Sequence, residues 1–368
     1  MLDQLCEQLV ASGVPLFRVA VFVRTLHPNL MGRRFLWLAG SGTKVSEGSF
    51  AMMQDEDFRA SPVAYVYATG AGVRRRLADA DCPLDFPILH DLRGEGVTDY
   101  LVSPLIFTTG AVHIASWTTR QKGGFDDDHI AGIDAVVAPL ARIAEIMGLR
   151  RTARTLLDTY VGSHAGERIL AGRIRRGDTE VIHAAIWLSD MRGFTTLSDR
   201  LAPQALIDLL NRFFDAQVPA IARHGGEVLK FMGDGLLAIF PVTGDDRAGA
   251  CAEALAAACE ARDAIASLGG DAAIADVDLV RFGLALHIGE VTYGNIGGEG
   301  RLDFTCIGPA VNLAARLEKI AGELGRSIVA SRAFAEHCPG AVTPLGRFPV
   351  RGLTDAQELF AVADEAAS

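Results

Sequence analysis

The 368-residue chain holds only six cysteines, at positions 6, 82, 251, 259, 306 and 338, and none forms a C-x-x-C pair. That pattern argues against a disulfide framework and reads as free thiols of a reducing compartment. Long apolar runs are missing too. The most apolar long segment, AGACAEALAAACEARDAIASL, is mostly alanine and carries several charges, so it reads as a soluble helix rather than a membrane span. The opening MLDQLCEQLV has acids and no basic region before its apolar residues, so no secretory signal and a cytoplasmic location are expected. An excess of basic residues is also absent. The net charge of −10 argues against nucleic acid or an anionic membrane surface as the main partner. A bound polyphosphate would need metals and particular basic residues placed locally. What is present is length for about two domains, and 49% hydrophobic residues to give them cores.

Residues 1–148 alternate apolar runs with turns. PLFRVAVFVRTL, RFLWLAG, VAYVYAT, YLVSPLIF and GAVHIASWTT read as strands, rich in β-branched and aromatic residues. FDDDHIAGIDAVVAPLARIAEIMGL reads as a helix with acids in its first turn. An opening helix, about five strands and a closing helix make an α+β sensor-type module. Its order and its F-D-D-D-H entry to the last helix resemble a GAF domain, which implies a regulatory role. His27, His90 and His113 stand isolated and read as surface or satisfied side chains rather than ligands. Residues 149–179 form a charged helical connector. Leu140, Ile143, Met147, Leu157 and Val161 fall near heptad spacing, and Arg150, Arg151 and Arg154 interrupt it, which suits either a short dimeric helix or a solvated linker.

Residues 180–368 follow the order β-α-β-β-α-β, an α+β, ferredoxin-like arrangement with additions at its C-terminal end. Within it, VLKFMGDGLLAIF puts Lys230 and Asp234 inside an apolar hairpin, while Asp190 ends the strand AAIWLSD. Asp-Gly is a favoured two-residue turn, which by itself explains Asp234. In this strand order, however, the first strand commonly lies beside the hairpin, so the two carboxylates can meet at one sheet edge. Carboxylates that close repel unless a cation joins them, and hard oxygen ligands suit Mg²⁺ or Mn²⁺. After Asp190 the chain runs Met191, Arg192, Gly193, Phe194, Thr195 and then a helix, a turn whose backbone N–H groups can cradle an anion. Two acids beside a phosphate cradle describe two-metal phosphoryl chemistry. Lys230 is either a solvated edge lysine or a donor to a ring nitrogen or phosphate. Asn312 and Arg316, four apart in PAVNLAARLE, share one helical face. An amide in so apolar a run needs a partner, and a guanidinium one turn on can stabilise charge on a phosphate, unless it is a surface ion pair.

The segments WLSDMRGFT, GGEVLKFMGDGLLAIF, ALHIGEVTYGNIG and LDFTCIGPAVNLAARLE together resemble the catalytic domain of class III adenylate and guanylate cyclases, over about residues 180–365. The resemblance implies that Asp190 and Asp234, helped by the Met191 carbonyl, hold two Mg²⁺ ions per site, with Mn²⁺ as a substitute. It implies that the backbone of Arg192, Gly193, Phe194 and Thr195 cradles the β- and γ-phosphates, that Lys230 and Thr305 read the purine, that Asn312 orients the ribose, and that Arg316 stabilises the α-phosphate. Arg351, in FPVRGL, matches a further phosphate-binding cation. In this family each site draws on two chains, so a homodimer with two equivalent sites is expected. Many adenylate-specific members carry Asp where Thr305 stands. Threonine there resembles the subclass with bicarbonate-responsive members, which makes bicarbonate an effector to test and leaves ATP the expected substrate. Guanylate cyclases favour Glu and Cys at the positions of Lys230 and Thr305. Cys306, the neighbour of Thr305, is expected to face away. A guanylate cyclase and a catalytically silent nucleotide-binding module are the alternatives. A diguanylate cyclase is disfavoured, because no G-G-D-E-F-like turn is present.

Overall fold

In a computed structural model of the chain, residues 1–25, 30–268 and 280–362 are described. They divide into two compact units, Met1–Leu156 and Leu157–Ser368. Among the described residues no helix is long and apolar enough to cross a membrane.

The first unit contains α1 (Leu2–Ala11), β1 (Arg18–Arg24), β2 (Leu30–Leu38), β3 (Gly42–Ser49), α2 (Glu56–Arg59), α3 (Pro62–Thr69), β4 (Val73–Arg75), α4 (Pro87–Gly94), β5 (Asp99–Ile106), β6 (Val112–Thr119) and all but the last five residues of α5 (Asp127–Val161). The strands form one sheet in the order β3-β2-β1-β6-β5-β4. One face packs on α1 and α5 through Leu2, Cys6, Val21, Trp117, Ile133 and Leu140. The other packs on α3 and α4 through Val66, Leu89, Leu92, Val102 and Ile114.

VAYVYAT, expected as a strand, is instead α3. The Ser61 side chain accepts from the Ala64 N–H at 3.2 Å, Pro62 opens the first turn, and Gly70 closes the helix at φ 68°. These end signals override the β-propensity of Val and Tyr. The strand β3, the short strand β4 and the helix α4 were not foreseen. Leu140 is buried against the sheet, while Ile143 and Met147 are exposed, so the three do not share one stripe. His113 accepts from the Arg24 N–H at 3.0 Å and stacks on Phe107, so it is a satisfied core histidine. His90 is exposed, and His27 lies outside the described residues.

The second unit contains α6 (Ser163–Leu170), β7 (Thr179–Met191), α7 (Phe194–Arg200), α8 (Pro203–Arg223), β8 (Glu227–Met232), β9 (Gly235–Pro241), α9 (Arg247–Leu268), β10 (Phe282–Gly298), β11 (Arg301–Ile307), α10 (Pro309–Glu323), β12 (Ile328–Ser331), α11 (Arg332–Ala335), β13 (Val342–Phe348) and β14 (Gln357–Val362). The sheet runs β13-β14-β12-β10-β7-β9-β8, and β11 folds back on β10. Strand β7 therefore lies between β9 and β10, as the βαββαβ order anticipates. Alternate residues of β7 face opposite cores. Ala185 and Trp187 pack with Phe213, Phe240 and Ala254 of α8, β9 and α9. Ile186 and Leu188 pack with Tyr293, Cys306 and Ala314 on the α10 side.

Candidate active site

The register of β7 on β9 pairs Asp190 with Gly235, the residue after Asp234. A Cβ built at Gly235 would stand 3.1 Å from Asp190 Oδ1, so the Asp190 carboxyl lies directly over the turn. Asp190 and Asp234 are within hydrogen-bonding reach of each other. Burial, then Asp234, then Glu318 push the Asp190 carboxyl up to about 6. The hairpin turn is Gly233–Asp234, closed by the Met232–Gly235 pair, rather than Asp-Gly. Gly233, at φ 69°, takes the first central position, which suits a II′-type turn and leaves Asp234 at negative φ. Behind the pair, the fully buried Ser189 hydroxyl donates to Gln217 Oε1 at 2.6 Å, and Gln217 Nε2 donates to the Phe213 carbonyl.

The two carboxylates fit a divalent cation. Their mutual repulsion is what a cation would relieve, and their oxygens are the hard donors Mg²⁺ and Mn²⁺ prefer. Among the described residues, no group of three His, Cys, Asp or Glu side chains is arranged to hold an ion. An ion at Asp190 and Asp234 would complete its shell with carbonyl, water or substrate oxygens.

Asp190, Lys230, Asn312 and Lys319 line one open cavity of about 530 Å³. The sheet thus brings together residues that are 122 positions apart in sequence (312 − 190). Asn312 is exposed, so the buried-amide reason for singling it out does not hold; it stands on the wall of the cavity within its own chain. Cys306 lines this cavity and lies close enough to Lys230 for the ammonium to act on its thiol, contrary to the expectation that it faces away. Burial nevertheless dominates and pushes that thiol up to about 11. Thr305 is not among the lining residues. It is 3% exposed, and its hydroxyl has no hydrogen-bond partner.

Arg316 lies away from this cavity, its guanidinium 3.5 Å from where a Gly352 Cβ would be, which brings it to the loop carrying the exposed Arg351. Gly193, at φ 73°, is the N-cap of α7, and Phe194 and Thr195 are the first two residues of that helix. The Arg192 side chain turns away from that helix start. Its Nη2 lies 2.7 Å from Glu318 Oε1 and donates to the Glu318 carbonyl at 2.7 Å. Glu318, 4% exposed, had not been singled out. In sequence it stands between Leu317 and Lys319 with Arg316 close by, so it reads as a member of a surface ion pair.

Residues 179–362 match the adenylate and guanylate cyclase catalytic domain family. Adenylate cyclase 1 of Rhizobium meliloti is 30% identical over 178 residues, 47% of this chain and 26% of that protein. An uncharacterized protein of Mycobacterium tuberculosis is 34% identical over 323 residues, 84% of this chain and 54% of the relative. The chain spans about half, or less, of these relatives' lengths. Among solved structures, a bacterial light-regulated adenylyl cyclase is 25% identical with a TM-score of 0.51, over 63% of this chain and 66% of that one.

Proposed function

We propose that this chain, which belongs to the adenylate and guanylate cyclase family, is an adenylate cyclase that converts ATP to 3′,5′-cyclic AMP and pyrophosphate in the cytoplasm. The observation that carries the reading is the meeting of Asp190 and Asp234, which the register of β7 on β9 brings together at the hairpin turn. Two Mg²⁺ ions, or Mn²⁺, held by Asp190, Asp234 and the Met191 carbonyl would supply Lewis acidity at the ribose 3′-hydroxyl and the triphosphate. The 3′-hydroxyl gives its proton to water as the O3′–Pα bond forms, and the bond from Pα to the bridging oxygen breaks to release pyrophosphate. The remaining tasks fall to the chain's own groups. The backbone of Arg192 to Thr195 binds the β- and γ-phosphates. Lys230 donates to the purine, and the unpartnered Thr305 hydroxyl accepts from the adenine amino group. Asn312 orients the ribose. Arg316, with Arg351 beside it, stabilises charge on the transferring phosphate.

The working form is a homodimer, in which Asp190 and Asp234 of one protomer meet Lys230, Thr305, Asn312 and Arg316 of its partner. Mixing Asp234→Ala with Arg316→Ala chains should restore part of the activity that each lacks alone; mixed dimers that stay inactive would contradict the shared site. The first unit serves as a GAF-like regulatory module. Thr305 makes bicarbonate the effector to try, and flat activity across a bicarbonate titration at fixed pH removes it. One observation favours a second reading, GTP as substrate: Cys306 lines the cavity beside Lys230. Purified protein given ATP or GTP with Mg²⁺, then Mn²⁺, separates them. Cyclic AMP from ATP, lost in Asp190→Ala, supports the first reading, and cyclic GTP alone supports the second.

A further inference from the structure

Arg192 follows directly on the strand end that carries Asp190 and Met191. Its guanidinium crosses to α10, pairing with the Glu318 carboxylate and the Glu318 carbonyl at 2.7 Å each. The crossing is possible because two glycines leave room for it. A Cβ at Gly322 would lie 2.7 Å from Arg192 Nη1, and one at Gly283 would overlap Nη2. Gly283 pairs with Asp190 in the register of β10 on β7, and Gly322 lies one turn beyond Glu318 on α10. The main chain is fixed at the same point, where the Arg192 N–H donates to the Arg281 carbonyl at 2.8 Å. Glu318 is nearly fully buried, so leaving either partner alone would be costly, and the pair holds one geometry. The same helix carries Asn312 and Arg316.

We propose that Arg192 and Glu318 are a positioning pair that locks the carboxylate-bearing strand end to the helix bearing Asn312 and Arg316. This rests on the shared-site homodimer above, in which those two elements of one protomer belong to different active sites. The tie therefore links the sites: a shift at the metal-binding end of one is carried to the helix that completes the other. The Arg192 guanidinium is held at Glu318, away from the turn whose backbone would bind the phosphates.

Heterodimers with a single working site test this. An Asp234→Ala chain is paired with an Arg316→Ala chain, so that the working site takes its carboxylates from the second and its helix from the first. Arg192→Gln is then placed in one chain or the other, with Glu318→Gln as a parallel, volume-conserving variant and with dimer mass and thermal unfolding recorded for each. Either placement should lower kcat about tenfold while KM for ATP moves less than about threefold, because helix placement rather than substrate binding is lost. Arg192→Gln combined with Glu318→Gln in one chain should be no worse than either alone. Loss confined to the chain supplying the carboxylates would make Arg192 a local phosphate ligand and overturn the proposal. Unchanged kcat in both placements overturns it as well. A parent mixture that dimerises without activity overturns the shared-site reading, and this one with it, before any change is made at Arg192.

Discussion

Asp99 and Asp190 are carboxylates at strand ends, one in each unit, and their surroundings differ in kind. Asp99 opens β5 and is fully buried. Its oxygens accept from Arg74 Nη2 at 2.7 Å and from the Phe125 N–H at 3.0 Å, and Arg74 also donates to the Phe125 carbonyl at 2.6 Å. Its charge is answered inside the fold. Asp190 closes β7 facing Asp234 and Glu318, and the nearby Arg192 guanidinium is taken by Glu318. Arg192 offsets its charge only in part, and burial with the two neighbouring acids outweighs it. The threonines repeat the contrast. Thr118 donates to the Arg18 carbonyl at 3.0 Å, whereas the Thr305 hydroxyl is buried and alone. Buried polar groups are normally paired, and the Thr305 hydroxyl is one of several buried groups without a hydrogen bond, the Trp117 and Trp187 indole N–H groups among them.

The largest effects should separate the two aspartates. Asp190→Ala or Asp234→Ala should lower cyclase activity by about 10³-fold, the loss of several kcal/mol of charge stabilisation, with the fold intact by circular dichroism. Asp99→Ala should act on stability instead. It strands the Phe125 N–H and an arginine about one-third exposed, which after allowance for solvent should cost about 2–3 kcal/mol in the first unit's unfolding transition. Loss of folding in Asp190→Ala comparable to that of Asp99→Ala would show that the two sites are alike after all.

Acid should distinguish the units next. Burial, with Arg24 helping, holds His113 down at about 4, and burial alone does the same for His287 in the second unit. Between the ordinary value of 6.5 and 4, the unfolded chain binds a proton that the folded chain does not, so each histidine withdraws stability as pH falls through that window. The full window is worth up to about 3 kcal/mol per histidine. Asp190 acts in the opposite sense. Raised from 3.8 to about 6, it binds a proton earlier in the folded chain and returns stability over that range as pH falls. The first unit should therefore melt ahead of the second on acidification, by about 1–2 kcal/mol. Calorimetry between pH 7.5 and 4.5 would see this as divergence of two transitions, and His113→Gln should remove most of it.

How much of this was legible beforehand follows from how local each signal is. The order of β7, α8, β8, β9, α9 and β10 could be read because each element has its own periodicity, and Asp190 and Asp234 could be paired because that order puts β7 beside the hairpin. VAYVYAT misled because composition favoured a strand while Ser61, Pro62 and Gly70, the cap residues, lay just outside or at the margin of the window. The flank of β11 that faces Lys230 depends on register against β10, where Cys306 pairs with Tyr293 and Thr305 with Gly294, and strand alternation alone does not fix it. Arg192 and Glu318 are 126 residues apart, and nothing local to either announces the other. The glycines that admit the guanidinium read as ordinary strand and helix glycines until the two elements are packed.

The smallest effect bears most directly on the contrast between answered and unanswered groups. Thr118→Val and Thr305→Val are the same isosteric change at buried positions in the two sheets. At Thr118 the substitution removes a made hydrogen bond and leaves the Arg18 carbonyl one donor short, so stability should fall by about 1 kcal/mol. At Thr305 it removes a hydroxyl that gains nothing from the fold, so the ligand-free protein should become more stable by about 1 kcal/mol. The same Thr305→Val change should raise KM for ATP, because the hydroxyl's proposed partner is the adenine amino group. Denaturant melts with and without nucleotide measure both halves. If Thr305→Val destabilises the free protein as Thr118→Val does, the Thr305 hydroxyl has a partner within the fold, and purine recognition must rest on Lys230 and the Cys306 flank instead.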